Sequence, residues 1–143
     1  MAFISVTRLR LRSWRFFPAF FLYTLASMGQ AKRARGFLGG YLGGDRDRGS
    51  WTVTLWEDAA AMRAYRSSGA HMRAMPRLLN WCDEAAVAHW TEEQVRVPPP
   101  DVAFDRMRRE GRVSKVHHPS ARQKAGELVG GAPPRVGIKL TRR

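Results

Sequence analysis

The side chains that could take part in chemistry are concentrated in the segment SGAHMRAMPRLLNWCD, residues 68–83. His71 precedes Met75 by four residues, so in a helix the two side chains lie on one face. A neutral imidazole can ligate haem iron, and a thioether is tolerated in an apolar pocket. Two interpretations of His71 are open. It is either a catalytic or cofactor-binding residue, with Met75 as cofactor contact and Tyr65 as a second catalytic candidate, or it hydrogen-bonds locally and Met75 belongs to the core.

The other histidines and the cysteine carry weaker signals. His89 falls in a strand-like alternation, which is typical of a half-exposed residue. His117 and His118 have no carboxylate close by, so we expect no metal site beyond the candidate haem iron at His71. Cys82 is the only cysteine. It excludes an internal disulfide and a cysteine-based zinc site, and it fits a cytoplasmic protein.

The charge of the chain is strongly positive and unevenly spread. Lys and Arg number 25 against 12 Asp and Glu, a net charge of +13. Residues 1–93 carry 13 basic and 8 acidic residues, whereas residues 94–143 carry 12 and 4. The second stretch is also rich in Pro and Gly and has one aromatic residue, Phe104. We therefore predict a folded domain over 1–93 and a basic, largely irregular tail over 94–143 that adds little to stability.

The order of helix and strand patterns predicts an α+β, ferredoxin-like βαββαβ fold. The alternation in FISVTRLRLR indicates a strand and argues against a secretory signal, and Phe16–Met28 reads as an apolar helix with Pro18 in its first turn. SWTVTLWED is the clearest strand, and EDAAAMRAYRSS follows as a helix. A second helical piece begins near Ala70, where Pro76 predicts a kink or restart. The last strand is expected at about Ala85–Thr91.

The first helix is apolar on nearly every side, whereas a surface helix needs only one apolar stripe. A second buried side indicates either a ligand cavity or a partner subunit. We expect a substrate pocket walled by apolar and aromatic side chains, namely Phe17, Phe20, Phe21, Trp56 and Tyr65.

Three stretches carry a resemblance to a known superfamily. FISVTRLRLRSW, WTVTLWEDAAAMRAYRSSGAHMRAMP and LLNWCDEAAVAHW resemble the antibiotic-biosynthesis-monooxygenase-like superfamily, and more closely its uncharacterised bacterial branch, to which spheroidene monooxygenase is a candidate relative. The resemblance covers about residues 2–93. It implies a dimeric α/β barrel, that is, a homodimer formed by two packed sheets, with a pocket between helices and sheet in each subunit.

The resemblance does not extend to the haem-degrading members of this superfamily. The asparagine, tryptophan and histidine that those members use correspond by position to Thr7, Tyr65 and Met75 of this chain, so none of the three residues is present here. The resemblance implies a monooxygenase-like enzyme acting on an apolar, polycyclic or isoprenoid small molecule, with haem as a candidate cofactor. The alternatives are a non-catalytic ligand-binding module and a tail-driven binder of nucleic acid or a membrane surface. The last is not favoured, since the tail lacks aromatic residues for base stacking.

Overall fold

The computed structural model describes residues 1–127 and 132–142. Over these residues the elements are β1 (Ala2–Leu11), α1 (Phe17–Arg33), β2 (Phe37–Gly44), β3 (Gly49–Trp56), α2 (Ala59–Arg66), α3 (Gly69–Trp81), β4 (Cys82–Glu92), α4 (Pro100–Glu110), β5 (Arg112–Val113), α5 (Ala121–Lys124) and β6 (Arg135–Leu140). A 3₁₀ turn at Trp14–Phe16 precedes α1. The described strands form one antiparallel sheet in the order β5-β4-β1-β3-β2-β6.

The predicted ferredoxin-like arrangement is confirmed by the four strands that form the centre of the sheet. Strand β1 lies between β3 and β4, with Val6 opposite Val53 on one side and Ala88 on the other. Because side chains alternate along a strand, each register position places its residues on one face of the sheet. Trp51 and Trp56 of β3 are five residues apart, so their indoles lie on opposite faces of the sheet.

One face of the sheet is covered by α4. Ile4, Val6 and Val53 are buried there together with Ala103 and Met107 of α4, which are both fully buried. Ala103 is small enough to let the helix backbone approach the sheet, and Met107 fills the remaining space because its side chain is flexible. This contact closes an apolar face that a four-stranded sheet would otherwise expose.

Two aromatic contacts from the middle of α4 fix its position. Trp51 stacks on Phe104 with ring centroids 6.4 Å apart. The Arg106 guanidinium lies 5.0 Å above the Trp90 ring and also pairs with Glu92. Arg106 is therefore engaged within the chain rather than free to contact phosphate.

The interpretation of residues 94–143 as a largely irregular tail is wrong for the described residues. The stretch after Glu93 supplies α4 and α5, and β5 and β6 pair with β4 and β2. The misinterpretation arose because α4 buries few apolar residues and has charged residues on its outer side. Prolines near its start are compatible with a helix, since Pro100 occupies the first turn where its missing N–H costs nothing.

The homodimer remains a prediction. In the sequence it follows from the resemblance, which implies two subunits joined through packed sheets. In the structure α4 covers the Trp51 face, and the helices of the other layer cover Trp56. The sheet face proposed as the subunit interface is thus filled by the chain's own helix.

The opposite face of the sheet carries α1, α2 and α3. Helix α2 begins at Asp58, whose carboxylate accepts a hydrogen bond from the Ala61 N–H. Helix α3 runs without interruption from Gly69 to Trp81 with Pro76 inside it, so the predicted restart does not occur. Among the described residues, no helix is both long enough and apolar enough to cross a membrane.

A buried ion-pair network ties the sheet to the segments at one end of it. Arg8 is 2% exposed and donates to Asp45 and to Glu84, each at 2.7 Å. Burial opposes ionisation of Asp45, but the hydrogen bonds from Arg8, Trp51 and the Gly49 backbone, together with the Arg8 charge, outweigh it, so the pKa of that carboxyl is lowered. Glu84 also accepts from Ser120 at 2.8 Å. A Cβ at Gly49 would collide with the Arg8 side chain, so the network needs glycine there.

We expect that residues after Glu93 are required for stability. Met107→Ala should lower the free energy of unfolding by about 2–5 kcal/mol, because it opens a cavity in a fully buried contact. A chain truncated after Glu93 should lose its cooperative transition. Urea unfolding followed by circular dichroism measures both. Met72→Ala, on an exposed side chain, is the matched control and should cost less than about 0.5 kcal/mol. A truncated chain that unfolds cooperatively, with a urea midpoint close to that of the parent, would contradict this.

Candidate functional site

A cavity of about 500 Å³ lies between the sheet and the layer formed by α1, α2 and α3. This volume is typical of small-molecule sites, which are concave and mostly apolar with a few polar groups. The sheet forms the floor of the cavity, and the three helices form its roof.

The floor is lined by short polar side chains from three neighbouring strands. Ser5 on β1 lies opposite Thr54 of β3, and Thr7 lies opposite Thr52. His89 of β4 is the other neighbour of Ser5. All five residues line the cavity. Their hydroxyl and imidazole groups give the floor a row of hydrogen-bonding groups, whereas the roof is mainly apolar apart from His71 and a few other polar side chains.

The roof is apolar and aromatic. Its apolar and aromatic side chains from the three helices include Phe17, Phe20, Phe21, Leu25, Met28, Met62, Tyr65, Ala74, Met75 and Leu78. The rings of Phe17 and Phe21 stack with their centroids 5.8 Å apart. Phe17, Phe21 and Met75 are each 44% exposed although they line the cavity. These three residues therefore lie at its mouth.

His71 lies in the cavity wall and is positioned by α1 and α2. Its backbone N–H donates to the Gln30 side chain at 3.0 Å, and Gln30 in turn donates to the Tyr65 and Ser68 carbonyls. The left-handed backbone at Gly69, with φ of 61°, brings the chain against Gln30. A side chain at Gly69 would meet the Gln30 amide, so glycine is needed for this junction.

The His71 ring is neutral at neutral pH. Burial lowers the pKa of His71, and the nearby Arg66 charge lowers it further, although a hydrogen bond to the Arg66 carbonyl partly opposes the shift. The Nδ1 atom lies 3.2 Å from that carbonyl, so Nδ1 carries the proton and donates. Nε2 is then the unprotonated ring nitrogen, and it can accept a proton or ligate a metal.

Tyr65 is a wall of the cavity and a support for His71. Its ring lies 4.8 Å from the His71 ring and 5.1 Å from Trp56. Its hydroxyl donates to the Ser27 carbonyl at 3.2 Å, and burial raises the pKa of Tyr65 far above its usual value. The phenol therefore stays protonated and its proton is already engaged.

The structure places six of the seven predicted site residues around one cavity: Phe17, Phe20, Phe21, Tyr65, His71 and Met75. Trp56 does not line it. That indole is fully buried beneath Tyr65 and packs edge-on against Phe37 at 5.3 Å. Trp56 therefore supports the wall from behind.

His89 is the site residue that sequence reasoning underrated. It was expected to be an ordinary half-exposed strand residue, yet it lies on the cavity floor. Its ring packs on Phe3 at 5.5 Å, and burial, together with the charges of Arg66 and Arg112, lowers the pKa of His89. The pairing register of β1 with β4 places His89 there, and that register could not be read from the local alternation.

The remaining candidate groups lie outside the cavity chemistry. Burial raises the pKa of the Cys82 thiol to about 12, so the thiol stays protonated and packs as a small apolar side chain. Among the described residues, no group of three or more His, Cys, Asp or Glu side chains is arranged to hold a metal ion.

The sequence matches no protein-family model and no curated protein. Solved structures do match the fold. SnoaB, a cofactor-independent oxygenase from Streptomyces nogalater, aligns with a TM-score of 0.55 at 17% identity, over 65% of this chain and 94% of that one. Rv0793 from Mycobacterium tuberculosis aligns with a TM-score of 0.60 at 12% sequence identity, and the alignment covers 66% of this chain and 97% of Rv0793. An antibiotic biosynthesis monooxygenase aligns with a TM-score of 0.57 at 10% sequence identity, and the alignment covers 64% of this chain and 99% of that one.

These identities are low, so the matches establish the fold of the chain and not its reaction. About two thirds of the chain is covered in each comparison. The chain has the α+β ferredoxin-like fold of the antibiotic-biosynthesis-monooxygenase-like proteins.

Proposed function

We propose that this protein is a monooxygenase-like enzyme that oxidises an apolar, polycyclic or isoprenoid small molecule in the cavity between sheet and helices. The observation that carries the proposal is the presence of His71 and His89, with lowered pKa values, in the lining of one otherwise largely apolar cavity. SnoaB, which has the same fold, is a cofactor-independent oxygenase.

The cavity favours a flat ligand with one polar edge. The aromatic roof offers broad apolar contact, and the hydroxyl groups of Ser5, Thr7, Thr52 and Thr54 offer hydrogen bonds along the floor. A polycyclic compound with phenol or ketone groups satisfies both surfaces. Burial of its rings would supply most of the binding free energy, and the floor would set its orientation.

The chemistry available without a cofactor starts with proton abstraction. A neutral imidazole, foremost that of His71 through Nε2, removes a proton from an acidic C–H or phenolic O–H of the substrate. The electron-rich anion then reacts with O₂. When a CH₂ group becomes a carbonyl, the substrate supplies all four electrons that reduce O₂; one oxygen atom is kept as C=O, and the other leaves as water with the two hydrogens of the CH₂ group. His71 is the residue that would hold the proton during this step.

Haem dependence is the second candidate, and one observation favours it. A histidine that ligates a metal usually donates its other ring N–H to a carbonyl or carboxylate, as His71 does to Arg66. His71 would hold the iron and Met75 would contact the macrocycle at the mouth. Bound haem supplies activation of O₂. The residues of the chain would orient the substrate and exclude water in either case.

We expect catalysis to depend on His71 more than on any other histidine. With 1,8-dihydroxyanthrone as probe, His71→Ala should lower kcat/KM by about 100-fold or more, the usual loss when a general base is removed. His89→Ala should reduce it less. His118→Ala, on an exposed residue outside the cavity, is the control. Oxygen uptake above the uncatalysed rate measures all three.

Saturable anthrone binding without any oxygen uptake would contradict the enzymatic proposal. That result would make the protein the non-catalytic binding module that the sequence also allows. If the His71→Ala variant is as active as the parent, the protein is an enzyme, but His71 is not part of its mechanism.

The pH dependence of kcat/KM should place the essential base below the ordinary histidine range. The active form is neutral imidazole, so activity rises as pH rises through the pKa of His71 in the free enzyme. Because that pKa is lowered by burial, the midpoint of the rise should lie below about pH 6.5, the unperturbed histidine value. Initial rates from pH 5 to 8 check this. Activity that keeps rising through pH 8 would exclude a histidine with lowered pKa as the base.

The haem candidate has a spectroscopic test. If His71 ligates iron, titration of the protein with hemin should give a saturable Soret band that His71→Ala abolishes or shifts. Met75→Ala should alter the binding constant more than the band position. An unchanged spectrum in His71→Ala, with His118→Ala as control, removes His71 from any haem site.

A further inference from the structure

The helix α1 and the turn before it carry an exposed apolar ridge. Trp14 is 65% exposed and Leu22 is 66% exposed, which is unusual for such large apolar side chains. The rings of Trp14, Phe17 and Phe21 follow one another at 5.9 and 5.8 Å, so the ridge is continuous. We call this surface the α1 ridge; its members are Trp14, Phe17, Phe21, Leu22 and Leu25.

The α1 ridge is also the mouth of the cavity. Phe17, Phe21 and Leu25 belong to the ridge and line the cavity at the same time. Met75 of α3 does the same from the other side of the opening, at 44% exposure. Whatever covers the ridge therefore also covers the entrance to the site.

The segments that form the ridge and the other side of the opening carry basic residues and no acidic ones. Residues 14–25 contain Arg15 and no Asp or Glu, and α3 carries Arg73 and Arg77 and no acidic residue. Arg15 stacks over Phe16 at 4.8 Å beside the ridge, and Arg77 binds the Tyr23 hydroxyl at 2.7 Å. These contacts hold guanidinium groups at the border of the apolar surface.

We propose that the α1 ridge docks on the surface of a bilayer containing anionic phospholipid. Helices that bind at the membrane interface combine large apolar and aromatic residues with flanking Lys and Arg, and they gain from both apolar burial and attraction to acidic head groups. The ridge meets both conditions. The proposal does not depend on the oxidation reaction, since it concerns only the surface and the cavity mouth.

A second copy of the chain fits this surface less well. Two ridges placed face to face would bring Arg15 and Arg77 of each copy together, and neither α1 nor α3 offers a carboxylate to neutralise them. Like charges brought together at an interface are costly. An anionic lipid surface supplies the opposite charge. An apolar ligand dissolved in such a bilayer could then enter the cavity without crossing water.

Vesicle flotation of the full chain tests the apolar part of the proposal. The protein should float with vesicles of phosphatidylcholine and phosphatidylglycerol and bind much less to phosphatidylcholine alone. Trp14→Ser with Leu22→Ser should abolish binding, and neither residue lines the cavity. The matched control is Val95→Ser with Val113→Ser, which changes two exposed apolar residues elsewhere and should bind as the parent does.

Charge reversal tests the electrostatic part. Arg15→Glu with Arg77→Glu should weaken binding more than about 20-fold, since each basic residue near an anionic surface contributes about fivefold. Arg108→Glu with Arg112→Glu makes the same change of net charge away from the ridge and should weaken binding much less. Raised salt should release the parent protein.

Three results would overturn the proposal. The first is an absence of flotation with anionic vesicles. The second is an equal loss of vesicle binding in the Arg15→Glu, Arg77→Glu variant and in the Arg108→Glu, Arg112→Glu variant, which would indicate non-specific attraction of a basic protein. The third is a dimer in sedimentation that Trp14→Ser with Leu22→Ser converts to monomer without any vesicle binding. That outcome would assign the ridge to contact between copies. None of them bears on the oxidation assay, so the two proposals fail separately.

Discussion

The packing of α4 on one face of the sheet is the contact on which the rest of the structure depends. Ala103 and Met107 are fully buried against the central strands. A sheet with one face closed in this way can leave its other face incompletely filled, because the strands are already held by the first layer. The cavity beneath α1, α2 and α3 can exist for that reason. The Arg8 network secures the same strands at their end through Asp45 and Glu84.

The site combines a rigid floor with an open roof. Strand registers fix the hydroxyl groups and His89, whereas His71 is fixed through Gln30 and the Arg66 carbonyl. The same burial that forms the cavity lowers the pKa of both histidines. The exclusion of water therefore has two effects: it leaves an apolar cavity, and it favours the neutral form of the two histidines that line it. The exposed side of α1 connects this volume to its surroundings.

Local patterns predicted what depends on local order, and missed what depends on long-range pairing. The strand alternation, the apolar α1 and the placement of His71 and Met75 on one helix face followed from spacing. The function of α4 could not be predicted, because its contacts with the sheet depend on two inconspicuous residues, Ala103 and Met107. His89 required the register of β4 against β1. Trp56 was expected in the wall of the pocket. In the structure it lies on the cavity side of the sheet, but it is buried behind Tyr65 and does not line the cavity.

Methyl NMR of the six methionines tests the central claim, that the cavity between sheet and helices is the ligand site. Met28, Met62 and Met75 line the cavity, whereas Met107 is buried on the other face and Met1 lies at the exposed end of the chain. Titration with 1,8-dihydroxyanthrone in the absence of O₂ should shift the first three signals by ring currents and leave those of Met107 and Met1 unchanged. A ligand that shifts Met107, and leaves the three cavity methionines where they were, would contradict the account.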